Sequence, residues 1–331
     1  MISINNLSYL IGGRALFENA SLHIKPKDKI GLIGLNGRGK STLLRMIRGE
    51  FQPTAGDISK SKDCTIGFLN QDLLSYQTDD SILSVAMQAF DRAVTLQQQI
   101  DKILKQMETN YEDTLVDKLT KAQDEFEALG GYSMQSEAEA ILEGIGFKTA
   151  DLSRPLREFS GGWRMRVMLA MLLLEKPSLL MLDEPTNHLD LPSIQWIENY
   201  LRTYEGAIIV VSHDRNFLDN TVTSIAEVSQ LKLNHYSGNY SFYLEEKELR
   251  EEIQKNAYLN QQQQIKQTER FIERFRAKAT KARQVQSRVK SLERMDLIED
   301  VVDDSMVMNF KFGFKQKSGS GELPILIMLG S

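Results

Sequence analysis

Over residues 1 to about 240, short runs of consecutive apolar residues alternate with segments whose apolar positions recur at helical spacing. Four runs, residues 30–33, 65–68, 179–182 and 207–211, predict buried strands. Strands that alternate with helices in this way predict an α/β domain, spanning residues 1–242. The chain enters it at once, through the strand-like alternation Met1-Ile2-Ser3-Ile4. From Asp80 to Phe147 the pattern becomes almost wholly helical, with segments at 98–107 and 115–129 separated by a polar turn, Glu108-Thr109-Asn110. A helical insert is therefore expected at about residues 75–158.

A turn-rich aromatic tract, Tyr236-Ser237-Gly238-Asn239-Tyr240, closes the domain. From Leu244 to about Met295 no Gly or Pro interrupts the helical composition, a length that favours an antiparallel hairpin over one solvated helix. The hairpin is expected over residues 243–300, with its turn near Ala277-Lys278-Ala279-Thr280. Residues 301–331 form a tail in which Lys317-Ser318-Gly319-Ser320-Gly321 has linker composition, followed by the apolar run Leu323-Pro324-Ile325-Leu326-Ile327-Met328-Leu329.

Composition narrows the class. With 41% hydrophobic and 26% charged residues over 331 positions, the chain has the make-up of an ordinary soluble protein of about two domains. No apolar run reaches the roughly 18 residues of a membrane span. The N-terminus carries no basic segment followed by a cleavable apolar one, so secretion is not expected. A single cysteine, Cys64, excludes an internal disulfide and a cysteine-rich metal site and fits a reducing, cytoplasmic setting. The net charge of −5 averages an acidic front and a locally basic rear, so it says little about partners.

The strand at 30–33 runs into Gly34-Leu35-Asn36-Gly37-Arg38-Gly39-Lys40-Ser41-Thr42, and a helical pattern, Leu43-Leu44-Arg45-Met46-Ile47, follows. Four residues stand between Gly34 and Gly39-Lys40-Ser41, which fits G-x-x-x-x-G-K-[ST], a phosphate-binding loop. Glycines are needed where backbone N–H groups turn inward around an anion, and the helix directs its positive end at the same place. Lys40 would reach the β- and γ-phosphate oxygens, and the Ser41 hydroxyl would complete a Mg2+ shell. A ligand-free turn would share the glycines, but the strand before and the helix after favour the phosphate loop.

Further along, Glu158-Phe159-Ser160-Gly161-Gly162-Trp163 precedes a helix at 164–174, and the strand at 179–182 ends in Asp183-Glu184. Pro185-Thr186-Asn187-His188-Leu189-Asp190 follows, and the next strand ends in Ser212-His213-Asp214. In this order of motifs the chain resembles the ATP-binding cassette (ABC) family over nearly all of residues 1–240. The resemblance implies a P-loop NTPase cassette that binds ATP with Mg2+. It implies that Asp183 holds Mg2+ through water, that Glu184 is the base for the attacking water and that His213 contacts the γ-phosphate. Gln71, in Phe68-Leu69-Asn70-Gln71-Asp72, resembles the glutamine that touches Mg2+ and water and links the site to the insert. Cassettes usually place an aromatic against the adenine; here that position falls on Ile11, which would offer dispersion rather than stacking and so would discriminate ATP from GTP only weakly. In the family two cassettes sandwich ATP head to tail, so Ser160, Gly161, Gly162 and Asp190 would serve a partner's nucleotide.

Asn187-His188-Leu189-Asp190 and Phe159-Ser160-Gly161-Gly162-Trp163 resemble the ABC-F subfamily, which acts on ribosomes, and residues 270–288 resemble the linker between its two cassettes. That linker reaches toward the peptidyl-tRNA site in the subfamily. From Arg274 to Lys290 there are seven basic residues and no acidic one, a charge pattern suited to phosphate contacts with RNA. Arg274, Arg276, Lys278, Lys281 and Arg283 are the expected contacts with rRNA or tRNA. With only about 25 residues per arm, the hairpin fits a general role in translation better than antibiotic protection. The expectation is a truncated ABC-F ATPase, whose residues 301–331 begin a missing second cassette and whose activity needs that cassette from a homodimer or another chain. Two alternatives share the nucleotide motifs: the ATP-binding subunit of a membrane transporter, and a catalytically inactive single-cassette fragment that binds ribosomes.

Overall fold

The computed structural model describes residues 1–69, 78–109, 112–275 and 281–297. In chain order the elements are β1 (Ile2–Ile11), β2 (Arg14–Ile24), β3 (Lys29–Ile33), α1 (Lys40–Arg48), β4 (Ala55–Lys60), β5 (Ile66–Leu69), α2 (Ile82–Met87), α3 (Asp91–Thr109), α4 (Asp113–Ala128), α5 (Met134–Gly144) and α6 (Gly161–Glu175). They continue as β6 (Leu179–Asp183), α7 (Leu191–Thr203), β7 (Ala207–Val211), α8 (Arg215–Thr221), β8 (Ser224–Ser229), β9 (Lys232–Ser237), α9 (Tyr240–Phe275) and α10 (Ala282–Glu293). The chain divides into two units, residues 1–250 and 251–331.

The first unit is an α/β cassette. Its main sheet has the order β5-β6-β7-β3-β8-β9, parallel except for β9, and a second, antiparallel sheet has the order β2-β1-β4. Parallel strands β3, β5, β6 and β7 read as apolar runs because both faces of their sheet are covered. Along β6, Leu180 and Leu182 enter the core that includes α2, α5 and α6, while Leu179 and Met181 enter the core under α1 and the antiparallel sheet. Each of the four predicted strands lies within one residue of its observed position.

The insert is helical, and α3 and α4 close their own small core from Ala93, Leu96, Ile100, Ala122 and Phe126. The spacing Ala93-Leu96-Ile100 puts one stripe of α3 against its partner. The polar turn expected at Glu108-Thr109 is not there: α3 runs through Thr109, because those polar residues are adequate helix formers and nothing in them breaks the ladder. Asn110 lies outside the described residues. Nor is the aromatic tract at 236–240 all turn, since Tyr236 and Ser237 end strand β9 and Tyr240 begins α9. Tyr236 and Tyr243 are buried against each other edge to face, with ring centroids 5.0 Å apart, so the first unit extends into α9 as far as Arg250.

In the second unit, α9 and α10 pair antiparallel. The Gln261 side chain donates to the Asp296 carbonyl at 2.7 Å, and the Arg288 guanidinium lies 4.3 Å from the Phe271 ring centroid. The turn expected at 277–280 lies outside the described residues.

Candidate functional site

Strands β3, β6 and β7 are neighbours, and their carboxyl ends deliver the candidate chemistry to one edge of the sheet. Ligands of open parallel sheets bind at such edges. The loop after β3 is held open by three glycines with positive φ: Gly34 at +148°, Gly37 at +74° and Gly39 at +97°. Gly34 has a second reason to be glycine, because a Cβ there would stand 2.8 Å from the Val228 carbonyl oxygen. Gly39 caps α1 from the left-handed region, leaving the backbone N–H groups at the start of that helix free of a side-chain cap.

The Lys40 ammonium folds back into the loop and donates to the carbonyls of Gly34 at 2.7 Å and Leu35 at 3.4 Å. Burial pulls its pKa below the usual lysine value, while the charges of Glu184 and Asp183 act in the opposite sense. Ser41 is exposed and Thr42 half-buried in the first turn of α1, and Leu35, Asn36 and Gly37 line the exposed lip of the loop, with Arg38 half-buried beside them.

Asp183 ends β6, and Glu184 follows it with φ at +54°, a conformation costly for a side chain with a Cβ. Its backbone N–H still donates to the Val211 carbonyl at 2.9 Å. The Glu184 Oε2 accepts from the His213 backbone N–H at 3.4 Å, and Oε1 lies 3.5 Å from His213 Nε2. Oε1 is buried and has no hydrogen-bond partner among the described residues. Burial pushes the Glu184 carboxyl above its usual range, more than the neighbouring His213 can lower it. His213 is exposed, and its backbone is set by a tight turn: the Ser212 hydroxyl accepts from the Asp214 N–H at 3.0 Å, and the Asp214 carboxylate caps α8 by accepting from Asn216 and Phe217.

The second group of candidates lies on α6 and α7. Ser160 occupies the N-cap of α6 without making a side-chain cap, and Gly161 and Gly162 form its first turn. Asp190 caps α7 by accepting from the Ser193 N–H at 3.2 Å. Sequence reasoning missed the residue that ties the two together. Arg166, 8% exposed, donates from Nε to the His188 carbonyl and from Nη1 to the Ile145 carbonyl, both at 2.8 Å, with its guanidinium 4.3 Å from the Trp163 ring centroid and 3.8 Å from Asp190. One arginine therefore joins the start of α6, the loop before α7 and the end of the insert.

Ile11, the expected adenine neighbour, is 54% exposed at the end of β1, while nearby Tyr9 is stacked on Phe51. Gln71 lies outside the described residues, as do Arg276 and Lys278. Arg274 and Arg283 are exposed on α9 and α10, and Lys281 precedes α10 with its ammonium donating to Gln284 at 3.0 Å.

The residues present fit a nucleotide with Mg2+. A glycine-lined loop supplies N–H donors and one lysine for phosphates, a serine and an aspartate supply hard oxygen ligands, and a carboxylate oxygen with no hydrogen-bond partner among the described residues lies at the same edge.

A protein-family profile described as "ABC transporter" matches residues 17–187, and another with that description matches residues 226–310. The chain is 39% identical over 312 residues to the "Probable ATP-binding protein YheS" of Haemophilus influenzae, covering 94% of this chain and 48% of that one. It is 36% identical over 327 residues to the "Putative ATP-binding protein YdiF" of Bacillus subtilis, covering 98% and 51%. The chain thus spans about half the length of these curated relatives. Among solved structures, the ATP-binding cassette MJ0796, in a dimeric post-hydrolysis state bound to ADP and Pi, is similar with a TM-score of 0.50 at 19% identity, covering 72% of this chain and 98% of that one. CbiO1 of Clostridium perfringens, part of the ABC transporter complex cbiONQ, is similar with a TM-score of 0.50 at 20% identity, covering 75% and 92%. At these identities the likeness shows the cassette fold.

Proposed function

Because this chain belongs to the ABC transporter family of ATP-binding cassette proteins, we propose that it binds and hydrolyses ATP at the edge where β3, β6 and β7 end, and that it acts on the ribosome as an ABC-F protein. The convergence of the Gly34–Thr42 loop with Asp183, Glu184 and His213 carries the nucleotide half of this reading. Lys40 exchanges the Gly34 and Leu35 carbonyls for phosphate oxygens and stays in place while doing so, since its partners form the loop itself. The N–H groups of the loop and of the first turn of α1 bind the remaining phosphate oxygens. Ser41, Asp183 and Gln71 would hold Mg2+, which when bound neutralises charge developing on the phosphates.

Glu184 Oε1 takes the proton of the attacking water. It is the carboxylate oxygen with no hydrogen-bond partner among the described residues, and its burial makes it a better base at neutral pH. Its other oxygen is held by the His213 N–H, which fixes the side chain despite the positive φ at Glu184. His213 itself is free to turn its exposed ring to the γ-phosphate.

Ser160, Gly161, Gly162 and Asp190 serve the nucleotide of a second cassette, supplied by another copy or another chain, and hydrolysis depends on that pairing. The ribosomal half of the proposal is supported by the seven basic and no acidic residues from Arg274 to Lys290, of which Arg274 and Arg283 are exposed on α9 and α10. No helix among the described residues is long and apolar enough to cross a membrane. We place the protein's work in the cytoplasm, with rRNA and tRNA as partners.

Cosedimentation of the Glu184→Gln protein with ribosomes, with and without ATP, tests the proposal beside the same variant carrying Gln at Arg274, Arg276, Lys278 and Lys281. ATP-dependent pelleting that the neutralised variant loses is the expected result. Pelleting that ignores ATP, or none at all, removes the ribosomal reading, while an ATP titration of the same preparations decides the nucleotide reading separately.

A further inference from the structure

Glu227 is a carboxylate where the sheet calls for an apolar residue. It lies in β8, is 6% exposed, and stands in register with Ile33 of β3 on one side and Asn234 of β9 on the other. Ion and hydroxyl partners converge on it. Oε1 accepts from the Lys247 ammonium at 2.6 Å and the Tyr243 hydroxyl at 3.0 Å, and Oε2 accepts from the Tyr236 hydroxyl at 3.3 Å. Burial and the Glu227 charge push both phenols up, so both stay protonated as donors. Tyr243, Lys247 and Arg250 recur at helical spacing on one face of α9, and the Arg250 guanidinium closes the cluster 4.4 Å from the Tyr236 ring centroid.

The same strand bounds the phosphate loop. Ile33 is the last residue of β3 before Gly34, and the Val228 carbonyl stands where a side chain at Gly34 would have to go. Lys40 in turn donates to the Gly34 carbonyl. Adjacent residues of one strand thus grip two things: Val228 abuts the loop, and Glu227 holds the first turns of α9.

We infer that Glu227 is a positioning residue that links the phosphate loop to the root of helix α9, residues 240–250. A buried carboxylate cannot give up its three donors without a large penalty, so any shift of β8 that accompanies filling of the loop is passed to Tyr243 and Lys247 rather than absorbed between them. The inference deepens the ATP-binding reading and rests on it for its consequence, that nucleotide changes the attitude of the helix root.

Amide hydrogen exchange on the intact chain, first without nucleotide, tests the link in Lys247→Met and Tyr243→Phe. Lys247→Met is expected to speed exchange at residues 240–250 by tenfold or more and, across the sheet, at residues 34–40 by threefold or more, with β6 and β7 unchanged. Tyr243→Phe, which removes one hydroxyl, should act in the same direction and less. An ATP titration should show affinity lowered by threefold or more in Lys247→Met, although neither substitution touches the loop. A loosened root with loop exchange and ATP affinity unchanged would make Glu227 a structural anchor and overturn the inference. Were β6 and β7 to loosen as well, Tyr243→Phe decides by the same criterion. A wild-type chain that binds no ATP defeats the nucleotide reading, and the nucleotide-free exchange still decides the link.

Discussion

Glu184 Oε1 lies 3.5 Å from Nε2 of His213, across the ends of two adjacent parallel strands, and the His213 backbone N–H holds the other carboxylate oxygen. The side chain is thereby aimed and buried, with Oε1 accepting no hydrogen bond among the described residues.

As the base of the proposed hydrolysis, Glu184 would set the pH dependence of turnover. Only the ionised carboxyl accepts a proton, and burial raises its pKa above the ordinary 4.5. The rate should therefore fall on acidification at a higher pH than it would with a solvent-exposed glutamate, whose carboxyl keeps the ordinary value of 4.5. The stability contribution has the opposite sense: with the folded pKa raised, the folded state takes up the proton more readily, so this group's contribution is full at acid pH and is lost as pH rises through the folded pKa. Glu184→Gln should reduce phosphate release by about 100-fold or more while ATP still binds. Measured phosphate release between pH 4.5 and 8, beside nucleotide titration of the variant, checks both.

Arg166 offers a different kind of test, because its partners are backbone carbonyls on two separate segments. Arg166→Met keeps an apolar stem against Trp163 but leaves the carbonyls of His188 and Ile145 without their donor. The expected loss is about 2–4 kcal/mol, from one buried and one partly buried acceptor and a lost charge-assisted fork. Arg166→Lys should recover little of it, since a single ammonium cannot reach both carbonyls in the plane of the guanidinium. Urea unfolding midpoints of the two variants measure the difference.

The contrast between these residues explains how much was legible in the sequence. Strands β3, β5, β6 and β7 announce themselves because sheet burial on both faces demands unbroken apolar runs. The antiparallel sheet does so only at its start: Met1-Ile2-Ser3-Ile4 alternates as a strand should, but β1 then slips register between Asn5 and Ser8 and carries a positive φ at Asn6, which breaks the alternation. Lys40 is marked by the spacing of its loop, and Asp183, Glu184 and His213 are singled out by the resemblance to the cassette family, each lying at or just after a strand end. Arg166 and Glu227 could not. Their partners lie on other elements, and a charged side chain in a strand or helix reads as a solvated one until the fold shows what surrounds it.

Lys29 is a third buried charge and makes a prediction about stability alone. It opens β3 at 7% exposure, and its ammonium donates to the carbonyls of Tyr204 at 2.6 Å and Gly206 at 3.1 Å, 5.1 Å from the Tyr204 ring centroid. Burial lowers its pKa from 10.5 to about 8, against the pull of Glu205. Between those two values the folded chain has released a proton that the unfolded chain still holds, so the unfolded state binds more protons and stability rises with pH. Below about pH 8 both states are protonated and the contribution is flat; above 10.5 both are neutral and it is flat again. Unfolding midpoints of the wild type and Lys29→Met, followed from pH 7 to pH 10, should diverge in slope above pH 8, with the wild type gaining relative to the variant. Parallel curves would mean that Tyr204 and Gly206 hold the ammonium charged through that range, their carbonyls compensating the desolvation in full.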